Sequence, residues 1–430
     1  MVDIATRVWS HKWKIDPIVR SLIDNDFYKL LMCQSIRRNH PDVRVIFRLV
    51  NRDSAIPLAR LVDEGELRAQ LDHIRSLSLT RGESTWLRGN TFYGKRQMFS
   101  PDFMQWFESL RLPPYHLQRV GDQYELTFEG LWPEVSLWEV PALAVLMELR
   151  SRAVLHNMKK FALQVLYARA MTKLWEKIEK LRGAEALSIA DFGTRRRHSY
   201  LWQDWAVQAM IEGLGSKFIG TSNCHIAMHR DIEAIGTNAH ELPMVYAALA
   251  RNDEELAQAP YAVMSNWHKE HEGNLRIILP DTYGNAGFLA RAPAWLAQWT
   301  GIRIDSGDPD EGAEMAIRWW RMHGETPADK LLIFSDGLDV AEILRLHSKF
   351  SQQARVGFGW GTLLTNDFRG LVPENSLAPF SLVCKAVAVN ARPTVKLSDD
   401  LSKTLGPPEQ VARYRRVFAA EPQPARPLAV

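Results

Sequence analysis

Apolar and polar residues follow two different patterns along the chain, and the change comes near residue 185. Apolar residues alternate with polar ones over 44–50 and 124–128, as in half-buried strands, and recur at helical spacing over 142–182. In this first part, helical and strand patterns mix without a regular order. The first 140 residues therefore predict an α+β domain.

Beyond that point the pattern becomes regular: a short apolar run ends in Gly, Asp, Ser or Thr, and a helical stretch usually follows. Repeated strand–loop–helix units predict a parallel sheet. Up to eight such runs in series indicate a barrel, in which the polar residues that end the strands meet at one mouth. An open, doubly wound sheet is the alternative. The runs are 187–190, 217–220, 234–236, 275–279, 302–304, 331–334, a short run at Val356, and 382–387.

These patterns divide the chain into two predicted domains. The N-terminal α+β domain takes residues 1–140. The α/β-barrel domain takes residues 141–415, of which 141–185 form a helical lead-in. Residues 416–430 contain a Pro-rich end and predict a flexible tail.

The composition is that of an ordinary globular protein, with 46% hydrophobic and 24% charged residues in a chain of 430. A net charge of +3 is too small to predict a nucleic-acid partner, which needs a concentrated basic face. The sequence contains no apolar run that predicts a membrane span or a signal peptide. The three distant cysteines, Cys33, Cys224 and Cys384, form no CxxC pair and fit reduced thiols in the cytoplasm.

Three sets of residues at the strand ends indicate phosphate binding. The stretch 191–197 ends in three consecutive arginines, and guanidinium groups bind phosphate bidentately. The stretch 357–362 predicts a glycine-rich loop late in the chain, where barrels commonly hold phosphate. Turns at 220–221 and 236–237 offer backbone N–H groups. For the arginines taken alone, the alternative is a solvated charged surface. For the glycine-rich stretch taken alone, the alternative is a plain turn.

Acidic residues share the predicted mouth of the barrel. They suit a polyphosphate substrate accompanied by Mg²⁺, and they equally suit a cationic transition state at a sugar carbon. For any one of them alone, a loop cap is the simpler explanation. The residues are Asp281, Asp305, Asp308 and Asp336.

The turn that follows the run 234–236 adds a candidate nucleophile. His240 comes shortly after Gly236 and Thr237, and an imidazole accepts a proton or a phosphoryl group near neutral pH. A helix-capping threonine followed by a surface histidine is the alternative for this turn alone.

Taken together, the motifs resemble those of the nicotinate phosphoribosyltransferase family. They keep the family's order from about residue 21 to 415, and the set is far more specific than any one motif. The matching segments are 24–30, 99–103, 137–141, 191–195, 220–223, 236–241, 281–284, 303–308, 334–337 and 359–362.

The resemblance implies a reaction, a fold and an assembly. Nicotinate and 5-phosphoribosyl 1-pyrophosphate (PRPP) would give nicotinate mononucleotide and pyrophosphate in NAD salvage. A ligase-type enzyme would couple this reaction to ATP hydrolysis through a phosphohistidine, with Mg²⁺ brought in by the substrates. The implied fold is that of type II phosphoribosyltransferases, an irregular α/β barrel with an N-terminal α+β domain. The implied assembly is a homodimer with its sites at the subunit interface.

The resemblance also assigns catalytic roles by position. His240 matches the histidine that ATP phosphorylates, and Glu241 is its neighbour. Asp281 matches the carboxylate that orients the imidazole ring. Asp305 matches the carboxylate near the ribose, where positive charge develops as pyrophosphate leaves.

The substrate-binding residues implied by the resemblance fall into two groups. Tyr28 and Phe192 would stack on the pyridine ring, while Thr237 and Arg303 would contact nicotinate, with the guanidinium on its carboxylate. The second group matches the family's phosphate and PRPP contacts. Its members are Arg195, Ser335, Asp336, Gly337, Gly359, Gly361 and Thr362.

Two features bear on the choice of substrate and on the loops. Ser222 stands where the related nicotinamide enzyme has an Asp, which would repel a carboxylate, so the predicted substrate is nicotinate. Asn285 and Ala286 stand where the family often has Thr and an acid, which leaves the ligand contacts of that loop open.

Two rival hypotheses are a phosphate-binding barrel enzyme of another class, such as a sugar-phosphate isomerase or aldolase, and a non-catalytic binding protein that retains the fold.

Overall fold

The computed structural model of the chain describes residues 3–11, 16–271, 275–400 and 403–419. No helix in these residues is both long and apolar enough to cross a bilayer. Residues 416–418 of the predicted tail continue the last helix, and residues 420–430 lie outside the described part.

Helices and strands of the described residues are numbered in chain order. The helices are α1 (Ile4–Trp9), α2 (Phe27–Asn39), α3 (Leu58–Leu61), α4 (Glu64–Ser76), α5 (Arg81–Gly89), α6 (Pro101–Ser109), α7 (Trp132–Val135), α8 (Glu139–Leu155), α9 (Lys160–Arg182), α10 (Tyr200–Leu214), α11 (Cys224–Arg230), α12 (Glu241–Leu249), α13 (Asp253–His271), α14 (Asn285–Arg291), α15 (Pro309–Met322), α16 (Val340–Phe350), α17 (Thr362–Thr365) and α18 (Pro408–Phe418). The strands are β1 (Arg44–Asn51), β2 (Thr91–Phe92), β3 (Lys95–Arg96), β4 (Tyr115–Val120), β5 (Gln123–Leu131), β6 (Ile189–Asp191), β7 (Phe218–Thr221), β8 (Ile277–Ile278), β9 (Gly301–Ile304), β10 (Leu331–Phe334), β11 (Arg355–Trp360), β12 (Leu382–Val389) and β13 (Arg392–Pro393).

An antiparallel sheet of five strands has the order β13-β12-β1-β5-β4. Its central strand β1 pairs with β5 on one side and with β12 on the other, where Val45 faces Val389. The prediction that the run 382–387 forms a barrel strand is therefore wrong, because this run lies in β12. The periodicity of a buried strand does not specify its partner. The division of the chain at residue 140 stays a prediction, since this sheet takes strands from both sides of it.

The parallel sheet contains six strands in the order β7-β6-β11-β10-β9-β8. A parallel bridge from Thr221 to Ala234 extends it beyond β7, so the predicted run 234–236 contributes a bridge rather than a full strand. Asn238 Nδ2 then donates to the Ile277 carbonyl oxygen of β8 at 3.1 Å. The strands thus follow one another around a ring. The fold is the predicted irregular α/β barrel with an N-terminal α+β region.

The predicted glycine-rich loop at 357–362 is mostly strand. β11 includes Gly357 and Gly359, and α17 begins at Thr362. A Cβ atom on Gly359 would come within 2.3 Å of Cδ2 of Phe192. Glycine at this position therefore lets the Phe192 ring pack directly against the strand backbone.

Candidate active site

A cavity of about 970 Å³ opens where the barrel strands β6, β9, β10 and β11 end. Parallel strands bring their carboxyl ends to the same side of a barrel, which is why residues from distant motifs meet here. Many of the predicted site residues line this cavity. They are Phe192, Arg195, Arg303, Asp305, Ser335, Asp336, Gly337, Gly359, Gly361 and Thr362.

Basic side chains that belong to none of the predicted motifs also line the cavity. Arg52 comes from the end of the antiparallel strand β1, and the others come from the chain after β11. Their positive charge suits a ligand that carries phosphate groups. These residues are Arg52, Arg369, Lys385, Lys396 and Lys403.

The three consecutive arginines separate in the structure. Arg195 and Arg196 line the cavity, but Arg197 is fully buried and pairs with Asp24 through two contacts of 2.7 and 2.9 Å. The expectation of three phosphate-facing guanidinium groups is therefore wrong for Arg197. A 3₁₀ turn ends at Arg196, and the extended backbone of Arg197 turns its side chain into the core.

His240 is buried beside the cavity, directly before α12. Its Nδ1 lies 2.9 Å from Oγ1 of Thr282, and its Nε2 lies 3.0 Å from Oδ2 of Asp305 and 3.7 Å from Oδ1 of Asp281. Burial lowers the pKa of His240, although Asp281 favours the protonated ring. At neutral pH the ring is therefore neutral and keeps a lone pair for nucleophilic attack. Thr282 lies within a recognised motif, but no role was predicted for it.

Asp305 connects His240 to the cavity. Its Oδ1 accepts a hydrogen bond from Nη2 of Arg303 at 2.7 Å, and Nε of the same guanidinium donates to Oγ of Ser335 at 2.8 Å. Burial favours the neutral acid, but the Arg303 guanidinium holds the pKa of Asp305 well below its usual range. Asp305 therefore stays ionised beside the imidazole.

Asp281 is fully buried behind His240, and one of its oxygens makes no hydrogen bond to the described residues. Its Oδ2 accepts from Oγ of Ser306 at 2.6 Å, while the nearest ionic partner of Oδ1 within the described ranges is Nε2 of His240 at 3.7 Å. One ligand atom each from His240, Asp281 and Asp305 lie within 4.8 Å of one another. This group could hold a cation, since carboxylate oxygens bind hard cations such as Mg²⁺.

Comparison with known proteins leads to one family. The family model described as the nicotinate phosphoribosyltransferase (NAPRTase) family matches residues 187–422, and the model of that family's N-terminal domain matches residues 23–147. The chain belongs to the nicotinate phosphoribosyltransferase family. The resemblance found in the motifs is thereby confirmed.

Solved structures of nicotinate phosphoribosyltransferases are similar to nearly the whole chain. The structure from Porphyromonas gingivalis is 27% identical with a TM-score of 0.81, and the match covers 93% of this chain and 100% of that one. The structure from Vibrio cholerae is 28% identical with a TM-score of 0.84, and the match covers 94% of this chain and 95% of that one. The agreement therefore includes both sheets, not the barrel alone.

In this member of the nicotinate phosphoribosyltransferase family, two predicted pyridine-binding residues lie beside the cavity rather than in its lining. Tyr28 packs its backbone against Gly236, where a Cβ atom would come within 2.6 Å of the Tyr28 nitrogen. Thr237 follows in the same turn and is half-buried. The N–H of Gly236 donates to the Tyr93 hydroxyl at 2.7 Å. The expectation of an anion-binding N–H at Gly236 is therefore wrong, because the protein itself uses this donor.

Ser222 is buried and already hydrogen-bonded. Its Oγ donates to Oδ1 of Asp26 at 2.7 Å, and its carbonyl oxygen accepts from the N–H of Phe27 at the start of α2. Burial raises the pKa of Asp26. A carboxyl group thus lies one hydrogen bond from Ser222, and the choice of nicotinate over nicotinamide stays a prediction.

Glu241 faces away from His240 and into the core. Its carboxylate pairs with Nζ of Lys29 and accepts from Nε1 of Trp132 at 2.7 Å. Both Glu241 and Lys29 are buried. The structure therefore places Glu241 in an ionic contact between α2 and α12 rather than at the cavity.

The phosphate-side residues after β10 form a tight turn. Gly337 has a φ of 63°, a conformation that glycine adopts without strain. Asp336 pairs with Nζ of Lys403 at 2.7 Å. One of the predicted phosphate contacts is therefore balanced by a lysine from the C-terminal part of the chain.

A C-terminal segment crosses next to His240 and meets the divergent loop. The N–H of Leu397 donates to the carbonyl oxygen of Thr282 at 3.0 Å, and the N–H of Asn285 donates to the Asp399 carboxylate at 3.2 Å. Burial raises the pKa of Asp399 to about 6. An acid from a distant part of the chain thus lies against this loop, which lacks the family's usual acid at Ala286.

Proposed function

We propose that the chain transfers the phosphoribosyl group of PRPP to nicotinate, with ATP hydrolysis coupled through phosphorylation of His240. The products are nicotinate mononucleotide, pyrophosphate, ADP and phosphate. The observation that carries this proposal is a buried, neutral His240, held by Thr282 and by the ionised Asp305 at the edge of a basic cavity.

In the first half-reaction a ring nitrogen of His240 attacks the γ-phosphorus of ATP, and the bond from that phosphorus to the ADP oxygen breaks. The imidazole becomes positively charged as the new P–N bond forms. Asp305 at 3.0 Å and Asp281 at 3.7 Å stabilise this charge, as a buried carboxylate stabilises an imidazolium in other nucleophilic sites. Water later takes the phosphoryl group and restores the neutral ring.

In the second half-reaction the pyridine nitrogen of nicotinate attacks C1 of the PRPP ribose, and the bond to pyrophosphate breaks. Phe192 offers a flat apolar surface to the pyridine ring, and the Arg303 guanidinium lies 5.9 Å from the centre of that phenyl ring. Arg303 is thus within reach of a carboxylate on a ring stacked there. Asp305 carries the negative charge that stabilises a cationic ribose carbon.

Mg²⁺ fits the acidic side of this site. Oδ1 of Asp281 is a buried carboxylate oxygen without a hydrogen bond in the part of the chain that the structure describes, and Asp305 provides further oxygens nearby. Oxygen ligands are those that Mg²⁺ prefers, so these two carboxylates would hold it and leave the lone pair of His240 for the phosphoryl group. The ion would neutralise charge on the phosphate oxygens of the substrates.

A homodimer forms the last part of the proposal. Trp9 on α1 and Phe161 on α9 are large exposed apolar side chains on two helices that pack together. These two side chains would lose contact with water if a second copy associated along these helices. Light scattering coupled to size-exclusion chromatography should give twice the chain mass, and a monomer at micromolar concentration would contradict the dimer.

The phosphohistidine is tested with γ-labelled ATP. The wild-type chain should take up acid-labile label, and His240→Ala should take up none. His116→Ala is the matched control, because His116 is exposed on β4, and it should label like the wild type. Label that persists in folded His240→Ala would overturn the role of His240.

Substrate and coupling are tested together by following product formation from PRPP. Nicotinate should give its mononucleotide at a rate that ATP increases, and nicotinamide should react far more slowly. Equal rates with the two bases would contradict the selectivity, and an absence of pyrophosphate release would favour a barrel enzyme of another class.

A further inference from the structure

Glu139, the first residue of α8, lies where three cations converge. Its Oε2 pairs with Nζ of Lys29 at 2.6 Å. Its Oε1 is shared by Nη1 of Arg195 at 3.3 Å and Nζ of Lys385 at 3.2 Å. One carboxylate oxygen therefore belongs to the buried Lys29, and the other is divided between two further cations.

Arg195 and Lys385 are also the two members of this cluster that reach the cavity. Their side chains are 37% and 22% exposed, whereas the side chain of Glu139 is 3% exposed. Their contacts with Glu139 are longer than the roughly 2.7–2.9 Å of a strong charge-assisted hydrogen bond. A guanidinium has five N–H donors and an ammonium three, so both cations keep donors for a ligand in the cavity.

We infer that Glu139 is a positioning residue that holds Arg195 and Lys385 at the cavity wall and releases them to the pyrophosphate group of a ligand. The pyrophosphate identity of that ligand rests on the proposed function. Glu139 orients both cations before the ligand arrives. As a buried negative charge beside an anion site it also weakens anion binding, which helps pyrophosphate to leave after the reaction.

The test is binding of inorganic pyrophosphate in the presence of Mg²⁺, without ATP or nicotinate, measured by isothermal titration calorimetry. Glu139→Gln removes the charge and keeps an oxygen that accepts from both cations. Pyrophosphate should bind about tenfold more tightly to this variant, because a like charge near the site is gone. In steady-state kinetics KM for PRPP should fall together with kcat, since pyrophosphate release becomes slower. A purely structural role would lower kcat without tightening pyrophosphate binding.

Glu241→Gln is the matched control, because Glu241 is also a buried carboxylate on Lys29 but contacts neither Arg195 nor Lys385. Its pyrophosphate affinity should stay within about twofold of the wild type. Unchanged or weaker binding by folded Glu139→Gln overturns the inference.

If Glu139→Gln does not fold, Glu139→Asp replaces it, since it keeps the charge and withdraws it by one methylene. Binding about threefold tighter is then expected, and unchanged binding overturns the inference. A wild-type chain that binds no pyrophosphate overturns the proposed function and the inference together. Wild-type binding with an unaltered Glu139→Gln affinity overturns the inference alone.

Discussion

Lys396 links the anion affinity of the cavity to the pH of the solution. It lines the cavity although the residue is only 7% exposed. Burial lowers the pKa of Lys396 to about 8, even though Asp281 and Asp305 favour the charged form. Only the ammonium form attracts a phosphate oxygen, so the charge that aids binding is lost as the pH rises through about 8.

The size of the effect follows from that pKa. About nine-tenths of Lys396 is charged at pH 7 and about one-tenth at pH 9, given a pKa of about 8. If pyrophosphate requires the ammonium form, its dissociation constant should rise by about a factor of ten between these pH values. A bound anion stabilises the ammonium in the complex. Pyrophosphate binding therefore begins to weaken near the pKa that Lys396 has in the free protein.

Calorimetric titration of pyrophosphate at pH 7, 8 and 9 measures this change in the wild type, Lys396→Arg and Lys396→Met. The arginine stays charged throughout this range and the methionine never carries charge. In both variants, the change of affinity with pH should therefore come only from the titration of pyrophosphate itself. The methionine variant should bind pyrophosphate weakly at every pH. A wild-type profile parallel to that of Lys396→Met would refute the reasoning.

Three further predictions concern other parts of the chain. Gly359→Ala should raise KM for nicotinate about tenfold, because its Cβ would displace the Phe192 ring, and an unchanged KM in steady-state kinetics would contradict this. Arg197→Met should lower the free energy of unfolding by about 3–5 kcal/mol, since it leaves Asp24 buried without its partner; a loss below about 1 kcal/mol in urea unfolding would count against it. The rate of labelling by ATP should fall to half its maximum only below pH 6.5, because burial lowers the pKa of His240 from that value. A midpoint above pH 6.5 would show that the carboxylates outweigh burial.

The barrel strands were predictable because each is a short apolar run that ends at a polar turn. The runs 302–304 and 331–334 coincide with β9 and β10. β12 has the same appearance in the sequence, yet it pairs with β1 near the opposite end of the chain. Hydrophobic periodicity reports burial of a strand, and the neighbour that buries it depends on contacts between distant segments.

The residues of the site were predictable where a polar or charged side chain directly follows a barrel strand. Site residues in other parts of the chain were harder to predict. Asp305 follows β9 and Ser335 follows β10, so the barrel topology alone brings them together. Lys385 and Lys396 lie among apolar residues of the C-terminal segment, where no motif distinguishes them from surface lysines. Arg197 is the opposite case, since it follows two arginines that line the cavity but belongs to the core.

Adjacent residues of the site serve different environments because successive side chains of a helix point about 100° apart. His240 faces the carboxylates beside the cavity, whereas Glu241, the next residue, faces Lys29 in the core. Tyr28, the predicted pyridine-binding residue, precedes Lys29 on α2, and Nζ of Lys29 lies 5.7 Å from the centre of the Tyr28 ring. The buried ammonium of Lys29 thus joins the helix that follows the histidine to the helix that begins beside Tyr28. A change in the position of α12 that breaks this contact would leave the Glu241 carboxylate buried without its cation, and such charges are costly. Glu241 therefore lies in the contact between two helices and outside the lining of the cavity.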